Sequence, residues 1–143
     1  MPEYTSNAVQ LVAANQNVIF TNTPEPCKLG RIIHREGSGL FTLRGITQNC
    51  NCNAAKYKIN FNANIAIPTG GTVAPISVAL TVNGEAIPTD SAIVTPAAVG
   101  DYWNVSITSL VNVPKGCCYS IAIRNTSTAA INVQNASLVI EKG

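Results

Sequence analysis

Charge is scarce in this chain. Only 11% of its 143 residues are Asp, Glu, Lys or Arg, and nine basic against seven acidic residues leave a formal net charge of +2. That balance offers no basic footprint for nucleic acid. With 46% hydrophobic residues it also excludes a disordered chain, which needs high charge and few apolar side chains. Histidine occurs once, as His34, and aspartate twice, as Asp90 and Asp101. The histidine and aspartate that acid–base catalysis draws on are therefore nearly missing. Long apolar runs are absent as well. The longest nearly apolar stretch, Val73 to Val82, falls far short of the ~20 residues that span a bilayer. Met1 leads into the polar PEYTSN without a basic n-region, so no secretory signal peptide is expected. Helical periodicity is missing too. The nearest candidate, SNAVQLVAANQ from Ser6 to Gln16, has a cap-like Ser6, but its β-branched residues and its lead into NVIF favour a strand or an arm.

What is present is a β composition. Ile, Val and Thr supply 41 residues, and Asn and Gly, the residues of tight turns, another 16 and 10. In KYKINFNANIAI, Tyr57, Ile59, Phe61, Ala63, Ile65 and Ile67 point one way, and Lys56, Lys58, Asn60, Asn62 and Asn64 point the other. That is the period of a half-buried antiparallel strand. ISVALTV repeats the pattern and runs into Asn83-Gly84, a hairpin signal because both residues tolerate positive φ. YWNVSITSLVNV alternates through Trp103, Val105 and Ile107, then changes face at Thr108-Ser109, which reads as a bulge or a bend between two strands. CYSIAIRN and INVQNASLVIEK close the chain; QNVIF, RIIHRE and GLFTLR come earlier, separated by TPEPC and GSG. About eight strands without intervening helices predict an all-β fold, an antiparallel β-sandwich or jelly roll, in one domain. Residues 1–16 read as an N-terminal arm or first strand, and 17–143 as the sandwich.

Catalytic groups are poorly served. A Cys–His nucleophile pair could use His34 with Cys27, but both aspartates lie in turns far along the chain. His34 reads instead as a strand histidine facing solvent or a neighbouring subunit. Glu36 and Glu85 are the only mid-chain glutamates, and Glu85 belongs to the hairpin, so no carboxylate pair for glycoside hydrolysis stands out. GSG and TGG lack the helix and lysine of a phosphate loop. Neither an enzyme nor a cofactor is expected. The sequons at Asn104, Asn125 and Asn135 fit the ordinary Asn/Ser/Thr bias of strand surfaces. Only GDYWN sets aromatics beside Asn and Asp, which makes Asp101, Tyr102, Trp103 and Asn104 the candidate ligand loop. Tyr57, Phe61 and Tyr119 are core aromatics that could also line a subunit interface. The five cysteines leave at least one thiol free or paired with another chain, and four of them form two tight doublets, Cys50-Asn51-Cys52 and Cys117-Cys118.

From about Asn17 onward, the order of motifs resembles the C1q/TNF-like jelly rolls. The likeness extends to the C-terminal domains of BclA-type exosporium glycoproteins of spore-forming bacilli and to similar phage structural modules. It is carried by NVIFTNT, by GLFTLRG followed by AKYKINFNANI, by the hairpin ISVALTVNGEAIP, by SLVNVPKGCCYSIAIRN and by the closing ASLVIEKG. Ala55 and Cys117 stand where the family has a glycine and an acid, and the chain holds no collagen-type Gly-X-Y tract. The resemblance implies a homotrimeric, non-enzymatic module for structure or surface display. A phage virion protein, in capsid decoration or a fibre, is the first expectation. A spore-surface protein, or a trimer binding a glycan or receptor, is the alternative. Implied partners are copies of itself, other virion or spore-coat proteins, and a surface glycan or receptor, with no nucleic acid and no membrane. The implied location is the virion surface or, alternatively, the spore surface.

In such a jelly roll the second strand, GLFTLR, pairs antiparallel with the seventh, CYSIAIRN, and the third pairs with the sixth. Both cysteine doublets then fall at one end of the sandwich, although 65 residues separate Cys52 from Cys117. Cys50 or Cys52 could bridge to Cys117 or Cys118, the four could form a thiolate metal site suited to zinc, or they could stay reduced. Cys27, following the first strand, is expected at the opposite end as the odd thiol.

Overall fold

The structure, a computed structural model, describes residues 3–6, 8–25, 32–34, 37–45 and 54–142. Its strands are β1 (Glu3–Ser6), β2 (Gln10–Val12), β3 (Asn22–Glu25), β4 (Ile32–His34), β5 (Phe41–Arg44), β6 (Ala54–Ala66), β7 (Ile76–Val82), β8 (Glu85–Val94), β9 (Trp103–Pro114), β10 (Cys118–Asn125) and β11 (Ile131–Lys142). They form two antiparallel sheets. The first, sheet A, runs β3-β1-β11-β6-β9, with β2 also on β11; the second, sheet B, runs β4-β5-β10-β7-β8. The described residues contain no helix, and so none long and apolar enough to cross a membrane.

The long strands follow directly from their alternation. Along β6, Tyr57, Ile59, Phe61, Ala63 and Ile65 are buried while Lys56, Lys58 and Asn62 are exposed. These side chains meet Val78, Leu80, Ile121 and Ile123 of sheet B in one core. Phe20, Phe41, Phe61 and Tyr4 form its aromatic centre, with edge-on ring pairs 4.7–6.4 Å apart. The β7–β8 turn has φ of 53° at Asn83 and 85° at Gly84, the conformation that the Asn-Gly pair permits. The pairing of GLFTLR with CYSIAIRN appears as β5 on β10, with Arg44 opposite Cys118, and the next inward pair as β6 on β9, with Ala54 opposite Pro114.

Several local expectations change. Residues Asn17 to Phe20 make only isolated bridges, to Arg124 and Ser38. The carboxamide of Gln10 takes both backbone groups of Ile19, accepting from its N–H at 2.9 Å and donating to its carbonyl at 3.0 Å, so Ile19 cannot join a ladder. The paired strand is the following NTPE, which lies against β1. The face change at Thr108-Ser109 does not occur either. β9 alternates without a break, because Ser109 takes an inward position and donates its hydroxyl to Asp90 at 2.7 Å, leaving Leu110 outward and 74% exposed. The register shifts among the described strands sit elsewhere, in β11 between Gln134 and Ser137, where Asn135 has φ 56°, in the β7–β8 pair between Ala79 and Thr81, and in the β1–β3 pair between Glu3 and Thr5. Within the stretch expected as an arm or first strand, β1 and β2 both pair with β11 in sheet A, and Tyr4 and Val12 are buried in the common core.

A buried polar knot ties this N-terminal segment down. Asn125 is fully buried; its amide donates to the carbonyls of Val12 and Ala129 at 3.0 Å each and accepts from the Ser127 N–H at 2.9 Å. Its backbone also bonds Asn15 and Gln16. Every hydrogen-bonding position of the side chain that would be costly to strand is used.

Candidate functional site

His34, the sole histidine, is half-buried in β4. Its ring stacks on Phe41 at 4.2 Å and meets Tyr4 edge-on at 4.9 Å, and its Nε2 donates to the Ser38 carbonyl at 2.9 Å. It thus faces the chain's own aromatic cluster rather than solvent. The Ser109–Asp90 pair lies at the other edge of the sandwich, where β8 and β9 meet, in a shallow groove also lined by Lys58, Thr108 and Leu110. With His34 on the opposite edge strand, that hydroxyl and carboxylate have no imidazole within reach. Among the described residues no three His, Cys, Asp or Glu side chains group to hold a metal ion.

The candidate interface aromatics separate. Tyr57 and Phe61 are 0% and 1% exposed inside this chain, so neither can meet a second subunit, and their place in the interface is corrected to the core. Inward alternation along β6 puts them there; the Tyr57 hydroxyl crosses to sheet B and donates to the Arg44 carbonyl at 2.5 Å. Tyr119 is half-buried and packs against the core from its rim.

At the end of the molecule where β9 begins, Asp101 to Asn104 are all exposed, Tyr102 at 41% and Trp103 at 49%. The Gly100 N–H donates to the Ile67 carbonyl at 3.0 Å and fixes the approach to β9. Asn104 turns to the outer face of sheet A and donates to Asn62 Oδ1 at 2.9 Å and Asn64 Oδ1 at 3.2 Å. Further along, Thr108 donates to Asn60 at 2.9 Å. This ladder of amides and hydroxyls across β6 and β9 was visible in the alternation only as polar residues. That they pair with one another follows from the register, which sets Asn64 opposite Asn104 and Asn60 opposite Thr108.

The outer face of sheet A is nearly uncharged over much of its length. Lys56, Lys58, Glu141 and Glu3 gather toward the end where β6 starts. Beyond the Asn60–Thr108 pair, the outward residues of β6, β9 and β11 are Asn, Gln, Ser and Ala.

Cys117 and Cys118 are exposed free thiols at the turn between β9 and β10. Cys27, Cys50 and Cys52 lie outside the described residues, and so does every pairing expected of them. One premise about Cys27 does change. β3 runs so that Glu25 lies opposite Glu3, itself opposite Val139, which pairs with Asn60 midway along β6, so this strand does not end beside the start of β11.

No family model and no curated protein matches the chain. Solved structures do. The globular domain of zebrafish complement 1qA protein superposes with a TM-score of 0.61 at 12% identity, covering 98% of this chain and 94% of that one. The C-terminal domain of EclA, a sugar-binding protein, aligns at 19% identity with a TM-score of 0.44, covering 95% of this chain and 79% of that one. With its two antiparallel sheets and its pairing of β5 with β10 and β6 with β9, the chain folds as a C1q/TNF-like jelly roll.

Proposed function

We propose that this chain is a non-enzymatic module that assembles as a homotrimer and builds or decorates a particle surface, a phage virion first and a spore surface as the alternative. The observation that carries self-assembly is the outer face of sheet A. β6 alone has 13 residues, so four strands side by side offer a face about 40 Å long and about 15–20 Å wide. That area, roughly 600–800 Å², approaches the ~800 Å² per partner of a standard interface. Its central residues lack charge, as interface cores do. Its amides and hydroxyls bond one another, which lowers the cost of removing them from water. The particle reading is supported by the order of sequence motifs, which resembles that of phage and exosporium modules. Light scattering on the intact chain and on Ser106→Arg, which sets a cation amid the neutral rows, tests the assembly. A trimer for the first and a folded monomer for the second is the expected pair, and two monomers would overturn the reading.

A second reading, binding of a neutral glycan, is favoured by the exposed Tyr102 and Trp103 beside the Asn62–Asn64–Asn104 cluster. Trp103 is the only tryptophan, so quenching of its fluorescence by a panel of neutral oligosaccharides reports this site directly. Saturable quenching would favour the second reading; its absence in a trimeric sample would leave the first alone.

A further inference from the structure

We propose that the groove between β8 and β9 binds a small zwitterion of the α-amino-acid type, with Asp90 taking its ammonium group and Lys58 its carboxylate. β9 is the last strand of sheet A and β8 the last of sheet B, so the groove runs along one edge of the sandwich. It has a volume of about 620 Å³ and is lined by Lys58, Asp90, Thr108, Ser109 and Leu110, a size within the range of small-molecule sites. An irregularity in β8 builds it. Ala79 pairs with Ser91 and Thr81 with Ala86, which leaves residues 87–90 opposite a single position of β7. A bulge of this kind re-aims a side chain that a regular ladder would hold in the sheet. Here the Ser91 hydroxyl donates to the Pro88 carbonyl within the bulge, and Asp90 reaches across to β9.

The polar groups of the groove divide by sign. Ser109 is buried and donates its hydroxyl to Asp90 Oδ2 at 2.7 Å, which fixes the carboxylate and leaves Oδ1 to accept from a ligand. Thr108 donates to Asn60 Oδ1, so its own oxygen keeps acceptor capacity. An ammonium group, with three N–H donors, suits these oxygens. Lys58 stands opposite Leu110 and is exposed, and no ion pair joins it to Asp90 although both line the groove. A ligand of one sign would meet a like charge at one of the two groups, whereas a zwitterion satisfies both. Leu110, 74% exposed, adds an aliphatic wall, which favours an amino acid with a branched apolar side chain. Lys58 and Leu110 lie at the charged end of the sheet A face, outside the neutral rows assigned to assembly, so this site does not depend on that reading.

Amide NMR spectra of the full chain, titrated with L-leucine, N-acetyl-L-leucine and L-leucinamide, test the two charges one at a time. Leucine should give saturable shifts at Asp90, Thr108, Ser109 and Leu110. N-acetylleucine lacks the ammonium group and leucinamide the carboxylate. Each should bind at least about tenfold more weakly, the loss of one charge-assisted hydrogen bond. Asp90→Asn keeps an oxygen for Ser109 and should abolish the preference for leucine over N-acetylleucine. Lys58→Met keeps an aliphatic stem and should abolish the preference over leucinamide. If Asp90→Asn does not fold, the three probes on the native chain and on Lys58→Met decide. Equal affinity for all three probes, shifts confined to residues outside the groove, or no saturation by about 20 mM leucine would each overturn the proposal.

Discussion

Phe61 and Lys58 sit three residues apart on one strand, yet their surroundings predict very different costs. Phe61 is 1% exposed and meets Phe20 at 6.4 Å, so Phe61→Ala should cost roughly 3–5 kcal/mol. Lys58 projects from the outer face, and Lys58→Ala should cost under about 0.5 kcal/mol. Denaturant melts of the two variants check the register; equal losses would contradict it. Asn125 makes a harsher case. Removing its amide strands the Val12 and Ala129 carbonyls and the Ser127 N–H in a buried setting, so Asn125→Ala should cost about 3 kcal/mol. Hydrogen exchange on that variant should show lost protection at β2 and at residues 15–18, which the knot secures. Nothing in the sequence distinguishes this asparagine from the fifteen others, because its role comes from contacts across 113 residues of chain.

At the scale of elements, strands with strict alternation and a defined turn were legible, and those shaped by distant partners were not. β6, β7, β10 and the Asn83-Gly84 hairpin follow from periodicity and turn chemistry alone. The segment from Asn17 to Phe20 has the composition of a strand but loses its ladder to the side chain of Gln10, which periodicity cannot register. Ser109 looked like an interruption because its inward place depends on Asp90, nineteen residues earlier. The candidate loop residues Asp101 to Asn104 were found from composition, whereas the pairing of Asn104 with Asn62 and Asn64 needed the register of β6 against β9. Gly45 offers a test at this scale. Gly45→Ala would drive a methyl into the Pro114 carbonyl, so the β9–β10 turn must shift. A loss of about 1–3 kcal/mol in thermal or denaturant melts is expected. A neutral result would contradict the tight docking of β5 on that turn.

For the whole molecule, the sandwich buries Tyr4, Phe20, Phe41, Tyr57 and Phe61 and leaves a long, largely uncharged sheet face outside. That face, uncharged at its centre as interface cores are, is the surface the proposed trimer would bury. The same topology gathers the β5 exit, the β6 entry and two exposed thiols at one end, and the aromatic approach to β9 at the other. The proposed assembly through sheet A would leave both ends available for display or for attachment to a larger particle. Sedimentation equilibrium of the reduced, unmodified chain across a micromolar concentration series tests this most directly. Each chain weighs 15.0 kDa; a mass near three chains is the expected result, and a single species of one-chain mass throughout the series would contradict it.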